Sequence, residues 1–268
     1  MPKIFSKKHL IWFFIIIILL VVSGITLMVS RSFKSNSEKK VSQELEKIII
    51  EPTKNHSASI IFLHGLGNDA ESQRVICQPL AEKNPHIKFI IPQAPTIKVS
   101  MNNLVSLCPA WYNIKGNPRD IMSLKEDKPG LLNSVNQTKK IIQEEVNSGI
   151  SPQKIMVVGH SQGASVALAV GLTSDWRLAG IIGLSAFLPC RNEIFGWAKP
   201  ENKTIPFFLY HNYYDNVIPA SIGDQSAQLL KEKGYQVEFD NLYNGDHFFK
   251  PEELQKILTE KLGEFLGF

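Results

Sequence analysis

The sequence predicts an α/β fold in which a mostly parallel central sheet is flanked by helices. Seven short apolar runs alternate with helical patterns, and several of these runs are rich in Ile and Val. Continuous apolar runs are typical of strands buried on both faces, and their alternation with helices indicates a parallel sheet. The runs are Ile48–Ile50, 59–64, 87–91, 154–159, 179–185, 205–211 and 235–240. In such sheets the reactive groups lie at the carboxyl ends of the strands.

Three segments carry specific helix signals. Apolar residues at helical spacing over 131–146 predict an amphipathic helix. Ser221 is a candidate cap for a helix that continues through Gly234. Pro251 suits the first position of a terminal helix, and the apolar residues of 254–266 predict its buried face.

Composition is that of an ordinary globular protein. The chain has 268 residues, of which 44% are hydrophobic and three are cysteines, and this excludes wholesale disorder and a disulfide framework. The formal net charge of +4 is unevenly placed, because residues 1–40 hold seven basic residues and one acidic residue. The remainder holds 22 basic and 24 acidic residues, without a basic stripe, so no nucleic-acid partner is expected.

A membrane anchor is predicted at the amino end. Leu10 to Val29 is a run of 20 uncharged residues, which as a helix spans about 30 Å, the thickness of a bilayer core. We expect a short tail over 1–9, a transmembrane signal-anchor helix over 10–29, a polar linker over 30–44 and one α/β domain over 45–268. A cleaved signal peptide is the alternative, but the run is too long for its apolar region and lacks a small-x-small cleavage site.

The flanking charges do not decide the orientation of this anchor, because basic residues lie on both sides of it. The short amino tail favours a single-pass membrane protein whose large domain is extracytoplasmic. The Ser- and Lys-rich linker is typical of a solvated tether, and a secondary role on anionic lipid headgroups is the alternative.

The motif GHSQG over 159–163 lies between an apolar run and an apolar helical segment. G-x-S-x-G in this context is typical of a nucleophile elbow, in which two glycines allow a tight turn that lifts the Ser hydroxyl above the sheet. The amino end of the following helix adds positive potential where an oxyanion forms. Ser161 is therefore the predicted nucleophile.

The acid and the base are expected to follow such a nucleophile in the order acid, then His. His247 precedes the terminal helix and satisfies this order, whereas His211 lies before any suitable acid. Asp215 follows the run 205–211 at the carboxyl end of a predicted strand. We expect His247 to accept the proton of Ser161 and to return it to the leaving group. Asp215 is expected to hold the imidazole in the correct tautomer.

Two backbone N–H groups are predicted to form an oxyanion hole. Leu66 stands between two glycines after the run 59–64, and Gln162 follows the nucleophile. Loss of one such donor typically costs about 3 kcal/mol of transition-state stabilisation. His64 is expected to support this loop by hydrogen bonding rather than to react.

Together these motifs resemble the acyl-protein thioesterase, lysophospholipase and carboxylesterase family of α/β-hydrolases. The resemblance covers about residues 57–268. The resemblance implies the α/β-hydrolase fold and hydrolysis of acyl esters or thioesters, with no metal and no organic cofactor. It rests on FLHGLG (62–67), PQAP (92–95), PAWYNI (109–114), VGHSQGASVAL (158–168), GIIGLSAFLP (180–189), DNVIP (215–219) and GDH (245–247).

The chain departs from the usual family pattern at several positions. His160 stands where Phe is usual, Ala164 where a second Gly is usual, Asn113 in place of an Asp, and Asn212 where Gly is usual. The GDH loop is also shorter than the common form. None of these departures removes a triad group, so they bear on substrate preference more than on chemistry.

The segment 96–107 is long for a connection and carries several apolar residues. Long loops are often lids or binding loops. We expect this segment either to help form an acyl-chain groove or to pack on the core. In the first case Leu104, Leu107 and Trp111 are the predicted substrate contacts.

The three cysteines, Cys77, Cys108 and Cys190, match no metal site by their spacing. A cysteine nucleophile is disfavoured because Ser161 occupies the elbow. Pairing of Cys108 with Cys190 is an alternative that requires an extracytoplasmic domain.

The sequence thus predicts a membrane-anchored serine hydrolase that cleaves carboxylic esters or thioesters with an apolar acyl group, through an acyl-enzyme on Ser161. Its expected partners are a lipid or acylated substrate and the membrane. Two alternatives stay open: a related hydrolase that acts on peptides or polyesters, and a non-enzymatic binding protein of the same fold. The complete triad and both glycines of the elbow favour an enzyme.

Overall fold

The computed structural model of the protein describes residues 44–101, 104–117, 119–120, 123–242 and 245–266. Leu45–Phe268 form one compact unit. In chain order its strands are β1 (Lys47–Ile50), β2 (Ala58–Leu63), β3 (Ile87–Pro92), β4 (Thr96–Met101), β5 (Ser106–Pro109), β6 (Ile114–Gly116), β7 (Lys125–Glu126), β8 (Ile155–His160), β9 (Gly180–Leu184), β10 (Pro206–Asn212) and β11 (Gln236–Leu242).

The main sheet has seven strands in the order β1-β3-β2-β8-β9-β10-β11. Its edge strand β1 runs antiparallel to β3, and all other neighbours are parallel. Every residue of β2, β8 and β9 is buried, as their mostly apolar sequences predict. The predicted parallel sheet and its seven strands are confirmed.

The helices are α1 (Ala70–Lys83), α2 (Lys128–Asn147), α3 (Gln162–Thr173), α4 (Ala220–Glu232) and α5 (Pro251–Leu266). The amphipathic helix over 131–146 and the terminal helix that begins at Pro251 are confirmed by α2 and α5. The cap predicted at Ser221 is wrong, because α4 begins at Ala220 after Pro219 and has no side-chain cap. Proline fixes φ in the range that a helix start requires, so the turn begins without the hydroxyl.

A second, four-stranded sheet has the order β5-β4-β6-β7 and contains the segment predicted as a long loop. β4 and β5 pair antiparallel from Thr96↔Pro109 to Val99↔Ser106, and we call this pair of strands the β4–β5 hairpin. Most of its side chains are exposed or half-buried, whereas Val99 is buried. A strand with so few buried positions lacks the apolar alternation that signals a strand in sequence.

The predicted membrane helix, residues 10–29, lies outside the described residues, and the part of the fold-class prediction that relied on it is corrected. No helix in the described part of the chain is long and apolar enough to cross a bilayer. Such a helix needs about 20 mostly apolar residues. α2 has 20 residues but carries five charged side chains, and the apolar α3 has only 12. The fold class of the described residues is therefore an α/β fold without a membrane-spanning helix.

The predicted localisation is corrected for the same reason. A single-pass membrane protein with an extracytoplasmic catalytic domain requires a membrane-spanning helix, and the described residues contain none.

The order of the strands positions the reactive groups. β2 and β8 are neighbours, with Leu63 opposite Gly159, although these two residues are 96 positions apart in the chain. The chain leaves β2 toward β3 on one side and later returns to β8 on the other side. Loops that follow such neighbouring strands border a crevice at the carboxyl edge of the sheet. The loop after β2 and the turn after β8 therefore face each other.

Candidate active site

Ser161 occupies a strained turn between β8 and α3. Its backbone has φ 54° and ψ −119°, a conformation that costs a non-glycine residue about 1–3 kcal/mol. The flanking glycines have no room for a side chain. A Cβ on Gly159 would lie 2.3 Å from the carbonyl oxygen of Gly163, and one on Gly163 would lie 2.3 Å from that of Leu63. Close packing of β8, α3 and β2 therefore requires both glycines of the motif.

A chain of hydrogen bonds joins the three residues predicted as a triad. Nε2 of His247 lies 2.9 Å from Oγ of Ser161, and Nδ1 of His247 lies 2.7 Å from Oδ2 of Asp215. Asp215 follows β10, and His247 lies in the loop before α5. All three residues are nearly inaccessible to solvent. The structure thus brings a hydroxyl, an imidazole and a carboxylate together in the order that proton transfer from the hydroxyl requires.

The Asp215 carboxylate is held ionised by its neighbours. Burial alone would raise the pKa of Asp215, but hydrogen bonds with His211 and His247 outweigh it and hold this pKa well below its usual range. Its other oxygen, Oδ1, accepts the backbone N–H groups of Val217 (2.9 Å) and Ile218 (2.8 Å). A carboxylate fixed in this way stays charged and stabilises an imidazolium at His247.

A second imidazole, that of His160, lies directly behind His247. Nε2 of His160 donates to the backbone carbonyl of His247 over 2.9 Å, and the two rings are 5.1 Å apart. Burial, and then the charge of His247, lower the pKa of His160 to about 4. His160 is therefore neutral at neutral pH and acts on the loop of His247 as a hydrogen-bond donor. The sequence signalled this residue only as a departure from Phe.

The loop after β2 is supported by His64, as predicted. Nδ1 of His64 donates to the Gly65 carbonyl (2.8 Å), and Nε2 accepts the Ala94 N–H (3.0 Å). Burial lowers the pKa of His64, although the hydrogen bond to Gly65 opposes this shift, so the ring is neutral. Nε1 of Trp111 also donates to the His64 carbonyl over 2.7 Å. Leu66 lies in the loop that these contacts fix.

Gln162, the residue after the nucleophile, anchors a neighbouring loop with its side chain. Its Oε1 accepts the Trp111 N–H (2.9 Å), and its Nε2 donates to the Tyr112 carbonyl (2.8 Å). Its own backbone N–H is in the first turn of α3, where N–H groups have no partner within the helix. Backbone N–H groups of this kind bind anions.

A cavity of about 150 Å³ opens at Ser161 and His247. Its surface is mostly apolar and includes Leu66 and Gln162. The remaining lining residues are Gly65, Asn68, Met101, Ile114, His160, Phe187, Val217, Ile218 and Phe248.

The three predicted substrate contacts do not line this cavity. Trp111 is buried and packs against His64, with ring centroids 5.2 Å apart. Leu104 and Leu107 are 69% and 71% exposed on the hairpin. Met101, at the end of β4, is the hairpin residue that reaches the cavity.

The phospholipase/carboxylesterase family model matches residues 45–260, which include the elbow, the acid and the His loop. The chain belongs to the phospholipase/carboxylesterase family. This match covers most of the chain and confirms the resemblance read from its motifs.

Two named relatives support this assignment. Acyl-protein thioesterase 1 of Gibberella zeae is 34% identical over 222 residues, which are 81% of this chain and 94% of that protein. Acyl-protein thioesterase 1 of Schizosaccharomyces pombe is 35% identical over 204 residues, which are 76% and 88% of the two chains.

Two crystal structures have the same fold. Arabidopsis thaliana SOBER1 superposes with a TM-score of 0.73 and 26% identity, over 78% of this chain and 99% of that one. Zea mays acyl-protein thioesterase 2 superposes with a TM-score of 0.69 and 29% identity, over 81% and 99% of the two chains. This member of the phospholipase/carboxylesterase family is thus a serine hydrolase of the esterase and thioesterase class, and the non-enzymatic alternative is set aside.

Two departures from the usual phospholipase/carboxylesterase pattern meet at the short GDH loop. His160 holds the carbonyl of His247, and Nδ2 of Asn212 donates to the carbonyl of Asp246 over 2.9 Å. A Cβ on Gly245 would lie 2.4 Å from Nδ2 of Asn212, so the loop packs closely on that side chain. The unusual residues of β8 and β10 therefore hold the loop that carries His247.

The cysteines take no part in the site. Cys77, Cys108 and Cys190 are all free. Burial raises the pKa of Cys77 well above its usual range and that of Cys190 to about 12, so both thiols stay protonated and poorly nucleophilic. Within the described residues, no group of His, Cys, Asp and Glu is arranged to hold a metal ion.

Proposed function

We propose that this enzyme hydrolyses esters or thioesters that carry an apolar acyl group, through a covalent acyl-enzyme on Ser161, and that residues 45–268 are its catalytic domain. The observation that carries the proposal is the hydrogen-bond chain from Ser161 through His247 to Asp215, which opens on an apolar cavity. Its relatives are named acyl-protein thioesterase, which supports S-acylated proteins as one substrate class.

The first half-reaction forms the acyl-enzyme. Nε2 of His247 accepts the hydroxyl proton while Oγ of Ser161 attacks the acyl carbonyl carbon. Asp215 accepts a hydrogen bond from the Nδ1–H group of His247, which leaves Nε2 free to act as the base, and it stabilises the imidazolium that forms. The tetrahedral intermediate then collapses. Its bond to the leaving oxygen or sulfur breaks, and His247 returns the proton to that atom.

The second half-reaction releases the acid. Water gives a proton to Nε2 of His247 while its oxygen attacks the acyl carbon. The bond between that carbon and Oγ of Ser161 then breaks, His247 returns the proton to Oγ, and a carboxylic acid is released. We assign the oxyanion in both steps to the backbone N–H groups of Leu66 and Gln162. The contacts of His64 and the side chain of Gln162 fix the two segments that carry these donors, which is the preorganisation that such a site needs.

The cavity supports an apolar acyl group. Met101, Phe187, Ile218 and other apolar side chains form most of its surface beside Ser161. Burial of acyl methylene groups against such a surface stabilises the complex by about 0.8 kcal/mol for each group that is fully covered.

The test is a series of esters and thioesters of increasing acyl length, assayed with the wild type and with Ser161→Ala. We expect kcat/KM to rise with chain length until the cavity is filled, and the variant to lose activity by roughly 10⁴-fold or more. Substitution of Ser161 without loss of activity would refute the mechanism. A profile independent of chain length would refute the role of the cavity.

Two further measurements complete this test. A fluorophosphonate probe should label one residue, Ser161, and the label should be absent from Ser161→Ala. Peptide and polyester substrates in the same panel examine the alternative reaction class, and turnover of these above the acyl esters and thioesters would favour it.

A further inference from the structure

We propose that His211 is a positioning residue for catalysis: its imidazole makes a second hydrogen bond to Asp215 and holds that carboxylate in line with His247. The inference rests on the proposed function, because it assigns a role within the same triad.

His211 lies on β10, one residue before its end, and its side chain is 1% exposed. Its Nε2 lies 2.8 Å from the carbonyl oxygen of Ile218 and 3.2 Å from Oδ2 of Asp215. Both neighbours are acceptors, so Nε2 carries the hydrogen and shares it between them. The ring therefore links the two ends of the turn that holds the acid, since Oδ1 of Asp215 binds the N–H of Ile218.

The far side of the ring is held by α4. A Cβ on Gly223 would lie 2.3 Å from Nδ1 of His211, so the helix meets the ring at a position that has no side chain. Among the described residues, Nδ1 has no hydrogen-bond partner. Glycine inside a helix costs about 1 kcal/mol relative to Ala. The glycine here leaves room for the ring against the helix.

The arrangement gives Asp215 four donors: two imidazoles on Oδ2 and two backbone N–H groups on Oδ1. The titratable groups around this carboxylate are His211 on β10, His247 before α5 and His160 on β8, behind His247. α4 presents Gly223. With a second imidazole donor, Oδ2 is fixed in position and is a weaker acceptor for His247.

Removal of His211 should therefore have two effects. The freer carboxylate should orient His247 less well and lower kcat. The carboxylate should also bind the His247 imidazolium more strongly, which moves the acidic limb of the kcat/KM profile to higher pH.

The experiment compares His211→Leu, which has no donor, with His211→Gln, whose amide keeps one. For His211→Leu we expect kcat to fall roughly 10- to 100-fold, KM to change by less than about threefold, and the acidic limb to rise by about half a pH unit. His211→Gln should retain most of the wild-type kcat and should leave the acidic limb close to its wild-type position. His56→Leu is the matched control, because it removes a His bonded to Ser59 outside the site.

Gly223→Ala provides a test with His211 in place. Its Cβ must displace the ring, so kcat should fall and the acidic limb should move in the same direction as in His211→Leu. This variant decides the matter if His211→Leu does not fold.

Three results would overturn the inference: a wild-type profile in His211→Leu, equal losses in His211→Leu and His211→Gln without a shift of the acidic limb, or an unchanged Gly223→Ala. The proposed function fails separately, if Ser161→Ala stays active. An inactive Ser161→Ala beside a fully active His211→Leu would refute the role of His211 alone.

Discussion

Two groups of Ser, His and acidic side chains lie at opposite ends of the central sheet. The first, which we propose to be catalytic and call the catalytic cluster, is Ser161, His247 and Asp215, at the carboxyl ends of β8 and β10. The second cluster is Ser59, His56 and Glu145, at the amino end of β2, where Ser59 is the second residue of the strand.

The order of the hydrogen bonds differs between the clusters. At the catalytic cluster the imidazole lies between the hydroxyl and the carboxylate. At the second cluster the hydroxyl lies in the middle, since Oγ of Ser59 donates to Glu145 over 2.6 Å and lies 2.9 Å from Nε2 of His56. A hydroxyl has one proton, and Ser59 gives it to Glu145, so His56 must donate to Ser59 and cannot serve as its base.

Access and backbone geometry differ as well. Ser161 borders a cavity and sits in a strained turn, whereas Ser59 is fully buried in a regular strand. Glu145, on α2, also accepts a hydrogen bond from Nζ of Lys88, on β3, over 2.8 Å. The second cluster therefore connects α2 to both β2 and β3. The same three residue types thus connect a helix to a sheet in one cluster and form a candidate proton-transfer chain in the other, according to which side chain lies between the other two.

The largest expected effect comes from replacing the acid of each cluster by its amide. Asp215→Asn should lower kcat roughly 10³- to 10⁴-fold, because an amide can hold the His247 ring in the wrong tautomer. Glu145→Gln should keep kcat/KM within about twofold of the wild type, since it orients no reactive group. Steady-state kinetics on one chromogenic ester measures both. A comparable loss of kcat/KM in Asp215→Asn and Glu145→Gln would contradict the assignment of different roles to the two clusters.

We expect the loss of folding stability at acid pH to come largely from His160, beside the catalytic cluster. The pKa of His160 is about 4 in the folded chain, and an unfolded His titrates near 6.5. Between these values the unfolded chain binds more protons, so this stability is complete above about pH 6.5 and is lost as the pH falls toward 4. His160→Phe should remove about 2–3 kcal/mol of the stability difference between pH 7 and pH 4.5.

Urea unfolding at the two pH values measures this difference. His64 shifts in the same direction and should leave a residual slope in the variant. Parallel stability curves for wild type and His160→Phe would contradict the expectation. Glu145→Gln, far from His160, is the control for a general loss of stability.

The smallest effect is expected on the stability of the second cluster. Ser59→Ala leaves an oxygen of the buried Glu145 without its donor, which should lower the free energy of unfolding by about 2 kcal/mol. For a domain of this size the melting temperature should fall by about 4–8 °C, with activity retained at the assay temperature. A Ser59→Ala variant as stable as the wild type would show that the cluster does not hold α2 to the sheet.

The central sheet and the order of the site residues were predictable because their signals are local. Each buried strand is a continuous apolar run, and the elbow glycines are adjacent to the residue they expose. Asp215 and His247 followed from chain order and from the rule that strand ends converge.

The remaining features depend on contacts between distant parts of the chain. The β4–β5 hairpin buries too few residues to show a period in sequence. The indole of Trp111 was expected at the substrate, but it reaches the His64 carbonyl, 47 residues away. His160 was noted only as a departure, because its acceptor lies 87 residues later in the chain. Contacts between residues so far apart in the chain leave no local pattern in the sequence.

The loop of His247 lies just before α5, whose apolar residues share a core with Cys77 and Leu80 of α1. The base is therefore the last of the three reactive groups to leave the ribosome, and its loop is held from both sides only after α5 docks on a helix made much earlier. A nascent chain that has folded around Ser161 and Asp215 still has no base. Hydrolytic activity should consequently appear only after His247 and α5 have been made, so that its onset reports the docking of α5 on the earlier part of the domain.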